Sequence, residues 1–202
     1  MCYAGYMQHA HNLIGGRICL DFCNTFSGDD RVAGNDQWSS YDDLIAWGLV
    51  AELFGSTEAE RLRHEAASDP KSARRALASA RRLREAMYRA FRAEARGEGA
   101  PVTDLDVINA VLVQGTSQRR LRPAMQGACW AWSDAPGSLD ALLWPVAWSA
   151  GELLTSSQLE RVKQCGGCPW LFLDSSRNRS RRWCDMRDCG NIAKVRRHRA
   201  SR

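Results

Sequence analysis

The chain has 202 residues, 45% hydrophobic and 25% charged, which is ordinary globular usage and excludes wholesale disorder or a fibrous repeat. Its formal charge of +5 is unevenly spread. Residues 160–202 carry 12 Lys or Arg against 4 Asp or Glu (net +8), and residues 1–159 carry 16 against 19 (net −3). A mildly acidic body with a basic end suits a polyanion, either nucleic acid or a membrane surface.

No apolar run reaches 18 residues without a charge, so no spanning helix is expected. Residues 1–12 contain no Lys or Arg and no sustained apolar core, unlike a secretory signal. Eight cysteines are too few for a disulfide scaffold, so a cytoplasmic protein with reduced thiols is expected.

In chain order, Gly15-Gly16 opens a short apolar run over 17–22 that reads as a strand, followed by a polar loop over 27–37. Ser40 or Asp42 caps a helix reaching Phe54. Thr57 with Glu60 three residues on is a capping-box signal for a second helix, ending near Ala67. After Ser68-Asp69-Pro70 comes the longest helical pattern, 72–96, with Leu77, Ala80, Leu83, Met87 and Phe91 on one stripe. Residues 71–96 hold nine Lys or Arg against Glu85 and Glu94, a charge that reads as a solvated face. A further helix follows over 104–113, capped by Thr103. Residues 119–132 read as a two-stranded hairpin around Pro123 and Gly127. The last helix of the body lies within 138–154, where Pro145 predicts a kink or a late start. The expectation is a mainly α fold with a small β-hairpin: a helical domain over 1–159, then a treble-clef-like module over 160–202.

That module contains Cys165-x2-Cys168-x15-Cys184-x4-Cys189. Two close pairs in a segment too small for its own core are the ligand set of one structural Zn²⁺, and four thiolates leave no open position for water. Gly166-Gly167 and Gly190 read as permissive backbone at the two knuckles. Trp170 and Phe172 read as the module's core. The cations Arg181, Arg182, Lys194, Arg196, Arg197 and Arg199 are candidate phosphate contacts.

Residues 165–202 resemble the CGNR zinc finger. They carry Arg181-Arg182-Trp183-Cys184, then Cys189-Gly190-Asn191-Ile192, then the basic run Ala193-Lys194-Val195-Arg196-Arg197-His198-Arg199. The segment Gly15-Gly16-Arg17-Ile18-Cys19-Leu20-Asp21-Phe22-Cys23-Asn24-Thr25 is similar to the start of the ABATE domain that precedes this finger, and Ser149-Ala150-Gly151-Glu152-Leu153-Leu154 to its final helix. The resemblance implies a bacterial transcription regulator with a DNA-binding finger behind a sensing domain. One position departs from it: the signature arginine is Ile192, which can neither contact a phosphate nor pair with a carboxylate.

Asp21, Asn24 and Thr25 follow the first apolar run. They read either as local turn and cap residues or as ligand contacts in a pocket. Cys2, Cys19, Cys23 and Cys129 lack pair spacing and read as small apolar fillers. No Ser-His-Asp set, phosphate loop or dinucleotide fingerprint is present, so no catalytic residue is assigned. Two other functions fit the same features. One is an RNA-binding accessory protein. The other is a small-molecule binder or enzyme whose site lies in the N-terminal domain, with the finger as a clasp. A homodimer and a small-molecule effector belong to the regulator reading.

Overall fold

The computed structural model describes residues 13–26, 36–132 and 138–200, with the side chains of Arg197 and Ala200 outside that set; part of the polar loop expected over 27–37 also lies outside it. The chain is mainly helical: α1 (Ile18–Cys23), α2 (Tyr41–Val50), α3 (Ser56–Ser68), α4 (Pro70–Ala95), α5 (Val102–Thr116), the hairpin β1 (Arg119–Pro123) and β2 (Ala128–Trp132), α6 (Leu143–Leu154), the hairpin β3 (Val162–Gln164) and β4 (Leu171–Leu173), and α7 (Asn191–Ala200). No helix among the described residues is long and apolar enough to cross a membrane.

The run over 17–22 is a helix and not a strand. All six residues of α1 are buried, and α1 packs against α4, α6 and β4. A short segment that is buried on every side carries no periodicity to separate strand from helix. Its entry is a tight turn in which Gly16 has φ +78 and the Gly15 N–H donates to Asp21 Oδ1 at 2.8 Å. A side chain at Gly15 would strike the backbone N of Asp21 at 2.9 Å.

Ser40 caps α2 as expected. Its Oγ accepts from the Asp43 N–H at 3.3 Å, while the Asp43 carboxylate accepts from the Ser40 and Ser39 N–H groups at 2.8 Å each. Thr57 is no cap: α3 begins one residue earlier, after Gly55 and without a side-chain cap. Asp69 caps α4 through the Lys71 and Ser72 N–H groups, with Pro70 in the first turn, where its missing N–H costs nothing. The stripe Leu77, Ala80, Leu83, Met87 and Phe91 is buried. α5 starts after Pro101, and Thr103 lies inside it. α6 starts late, at Leu143, with Pro145 in its first turn. α5 and α6 approach closely at Gly115, where a Cβ would lie 2.9 Å from the Trp144 Cβ. The β1–β2 hairpin closes through Gly127, at φ +75, in the register Leu121↔Trp130.

β4 divides two cores. Successive strand residues point to opposite faces. Leu171 and Leu173 pack with the main core, while Phe172 joins a small cluster of Cys165, Cys184, Cys168, Trp170, Trp183, Cys189 and Ile14. β3 pairs antiparallel with β4, Val162↔Leu173 and Gln164↔Leu171, and both strands pack on α4.

Candidate metal centre and nucleic-acid interface

The first knuckle closes when the Cys165 N–H donates to the Trp170 carbonyl at 2.8 Å. This turns the Gly167 N–H toward Cys165 Sγ at 3.4 Å. The Cys184 N–H reaches the same sulfur at 3.2 Å, and the Gly166 N–H ties the two knuckles together through the Arg182 carbonyl at 3.0 Å. The glycines serve close approach more than unusual dihedrals. A Cβ at Gly166 would lie 2.9 Å from the Trp183 ring, one at Gly190 2.9 Å from Met186 Sδ, and one at Gly167 3.2 Å from Cys189 Cβ.

Sγ atoms of Cys165, Cys168, Cys184 and Cys189 all lie within 4.8 Å of one another, with Cys168–Cys184 at 3.5 Å and Cys184–Cys189 at 3.8 Å. A tetrahedron with Zn–S of about 2.3 Å requires S–S edges of about 3.8 Å, so the donor set fits one zinc. The Cys165 thiol is held well below the ordinary thiol range, first by the Cys168 and Cys184 thiols donating to it and then by the two backbone N–H groups. N–H donors aimed at a sulfur are what a metal thiolate uses to spread its charge.

An ion pair between half-buried Lys163 and buried Asp174 orders the segment between the knuckles. Asp174 is fully buried. One of its oxygens accepts from Lys163 Nζ at 2.7 Å and the Arg181 N–H at 3.0 Å; the other accepts from the Ser176 N–H at 2.9 Å and Oγ at 2.6 Å. Lys163 Nζ also reaches the Arg179 and Arg181 carbonyls. Burial by itself would raise the Asp174 carboxyl, but the Lys163 and Ser176 hydrogen bonds outweigh it and hold it far below the ordinary carboxylate range. Sequence reading missed this pair, because nothing local marks residues 11 apart as partners.

The candidate phosphate contacts divide. Arg181 is half-buried. Its guanidinium donates to the Trp183 carbonyl at 2.9 Å and to the Cys184 carbonyl, and stacks over Phe172 at 4.6 Å. Arg182 is exposed beside the Trp183 ring, 5.6 Å from its centroid. Lys194, Arg196 and Arg199 are exposed on α7. The Arg197 side chain lies outside the described residues.

Asp21, Asn24 and Thr25 are all buried. Asn24 spans the β4 backbone: its Nδ2 donates to the Leu171 carbonyl and its Oδ1 accepts from the Leu171 N–H, both at 2.9 Å. Thr25 Oγ1 donates to the Phe22 carbonyl at 2.7 Å and accepts from Arg84 at 3.2 Å. Arg84, itself buried, forms a two-pronged ion pair with Asp36 at 2.8 and 2.7 Å and lies over Trp38 at 4.5 Å. The three polar residues also line one cavity of about 460 Å³, together with Trp38, Trp47 and Trp170. Cys19 and Cys23 are buried, and burial pushes their thiols up, that of Cys19 to about 12. Cys2 lies outside the described residues; Cys129 is no loose filler but is disulfide-bonded, so the expectation of reduced thiols fails at this position.

No curated protein matches the chain. Two family models do. The ABATE model, described as "Putative stress-induced transcription regulator", matches residues 16–157, and the CGNR zinc finger model matches residues 161–202. A CGNR finger with its four cysteines clustered indicates one structural zinc ion. With about 140 of its residues matched by the first model and its basic end by the second, the chain belongs to the ABATE family and carries a C-terminal CGNR zinc finger.

Proposed function

We propose that the protein is a zinc-dependent, DNA-binding transcription regulator whose finger contacts phosphates and whose N-terminal domain, over 1–159, acts as the sensor. Cys165, Cys168, Cys184 and Cys189 are the zinc ligands in this reading. Four protein sulfurs complete the tetrahedron, so the metal supplies folding energy and shape to the module over 160–202.

The observation that carries the reading is the placement of Lys194, Arg196 and Arg199. They are exposed on a helix that grows directly from the second knuckle, and none has a partner among the described residues. Cations held on a rigid scaffold neutralise phosphates and release counterions. Arg182 is exposed beside Trp183, just before the second knuckle in the chain, and Arg197 belongs to the same run as the α7 cations by sequence. Arg181 spends its guanidinium on the carbonyls of Trp183 and Cys184, which makes it a positioning residue for the second knuckle. The protein works in the cytoplasm on this account, with a homodimer and a small-molecule effector as further expectations.

One observation favours a second reading, a small-molecule-binding protein whose finger is only a clasp. The cavity beside Asp21, Asn24 and Thr25 is of ligand size. Exposing the zinc-loaded chain to fragmented genomic DNA and total RNA across a salt series separates the readings. Retention of duplex DNA that is lost as salt rises supports regulation through DNA. Retention of RNA alone supports the accessory role. Retention of neither, with a metabolite mixture raising the melting temperature, supports the second reading.

A further inference from the structure

We propose that the outward face of α7 reads thymine methyl groups in the major groove of duplex DNA through Ile192 and Val195. The proposal rests on the DNA-binding reading above and names what that surface recognises.

α7 packs chiefly on the turn over Met186–Gly190. Of its residues whose exposure is described, only Ala193 is half-buried and the rest are exposed. Ile192 is 50% exposed and Val195 42%. Spaced three apart, they lie on one helix face. Arg196 stands one turn after Ile192 and Arg199 one turn after Val195, so the same face carries two cations. Ala193 lies about 100° round the helix from Ile192, on the side turned toward the knuckle. The outward face is therefore Ile192, Val195, Arg196 and Arg199.

A solvated basic helix has no use for two β-branched apolar residues, which lower helix propensity and leave apolar surface in water. Each keeps close to half of its surface exposed, and α7 contains no acidic residue, so its charge selects a polyanion over a neutral protein face. B-DNA's major groove admits an α-helix, and the apolar group on its floor is the thymine C5-methyl. Arg196 and Arg199 on the same face are placed for phosphates or guanine acceptors beside it. Uracil lacks that methyl, and the A-form major groove is too narrow for side chains to read, so the face suits DNA over RNA. In the CGNR signature the position of Ile192 holds arginine; here a polar contact has been exchanged for an apolar one.

The test uses the full zinc-loaded chain and two duplexes of about 20 base pairs. One alternates dA and dT; the other is identical with deoxyuridine for thymidine. Each methyl contact buries roughly one carbon's worth of apolar surface, worth about fourfold in affinity, so two contacts give about 15-fold tighter binding to the thymidine duplex. The double variant Ile192→Ala, Val195→Ala brings that ratio to about one and keeps the salt slope, since no charge changes. Alanine at exposed helical positions preserves the helix, which zinc content and circular dichroism verify. Equal affinity of the wild type for both duplexes, with salt-dependent binding intact, refutes the proposal and leaves DNA binding standing. Absence of binding to either duplex at about 50 mM salt refutes both.

Discussion

Replacing Asn24 by alanine tests whether the ABATE core and the finger are one cooperative structure. The Asn24 amide makes both of its hydrogen bonds to Leu171, at 2.9 Å each, and Leu171 is fully buried. Alanine leaves the N–H and the C=O of the buried Leu171 without their side-chain partner. Each such orphan costs about 1–3 kcal/mol, so with partial relaxation the loss is about 3 kcal/mol. A chain of this size has a urea slope of about 2–3 kcal/mol/M, so the unfolding midpoint falls by about 1 M with an unchanged slope. Because β4 also carries Phe172 into the cysteine cluster, zinc is released faster to a chelator. Asn24→Asp keeps the acceptor, loses the donor and buries a charge, and is at least as damaging. A midpoint shift below about 0.2 M, with zinc release unaltered, contradicts the reasoning and returns Asn24 to the cavity as a ligand contact.

Elemental analysis is expected to find one zinc per chain. Cys184→Ser abolishes it and exposes the segment after β4 to protease, while the helical core, which retains Val162 and Leu171, resists digestion. Asp174→Asn removes a carboxylate whose native pKa lies below its unfolded value. Such a group stabilises the fold above the unfolded pKa and ceases to as pH falls, so the gap between wild type and variant is constant from about pH 5 to 8 and closes below about pH 4. A gap that widens in acid overturns the assignment of the Lys163–Asp174 pair. Gly115→Ala places a Cβ 2.9 Å from the Trp144 Cβ and is expected to cost about 1–3 kcal/mol in thermal or urea unfolding; a neutral effect shows that α5 and α6 can part.

Local chemistry was legible in the sequence and long-range partnership was not. Ser40, the α4 stripe, the late start at Pro145, the hairpin around Gly127 and the cysteine spacing all follow from interactions within a few residues, and all appear as expected. The helix α1 was misread because a short buried run has no exposed face to set its period. Thr57 carried the pattern of a capping box, but the helix begins at Ser56, one residue before it. Arg181 looked like any other finger cation; its bonds to the Trp183 and Cys184 carbonyls lie within three residues, but its stacking on Phe172 depends on β4 and a residue nine positions away. Asn24 reads in the sequence as a local turn or cap residue or as a ligand contact, and its amide instead bonds to a distant strand. Its partner, Leu171, lies 147 residues downstream, beyond the reach of any local rule.

The central claim is that the finger's cations hold DNA phosphates, and the salt dependence of affinity tests it most directly. Arg182, Lys194, Arg196 and Arg199 are the exposed contacts with described side chains. Four neutralised phosphates give a slope of log K against log salt of about −3.6, measured by fluorescence anisotropy on a duplex with the zinc-loaded chain. Changing Lys194 and Arg196 together to alanine flattens the slope by about 1.8 while zinc stays bound. A slope that stays the same in that variant, or duplex affinity indifferent to salt in the wild type, contradicts the account.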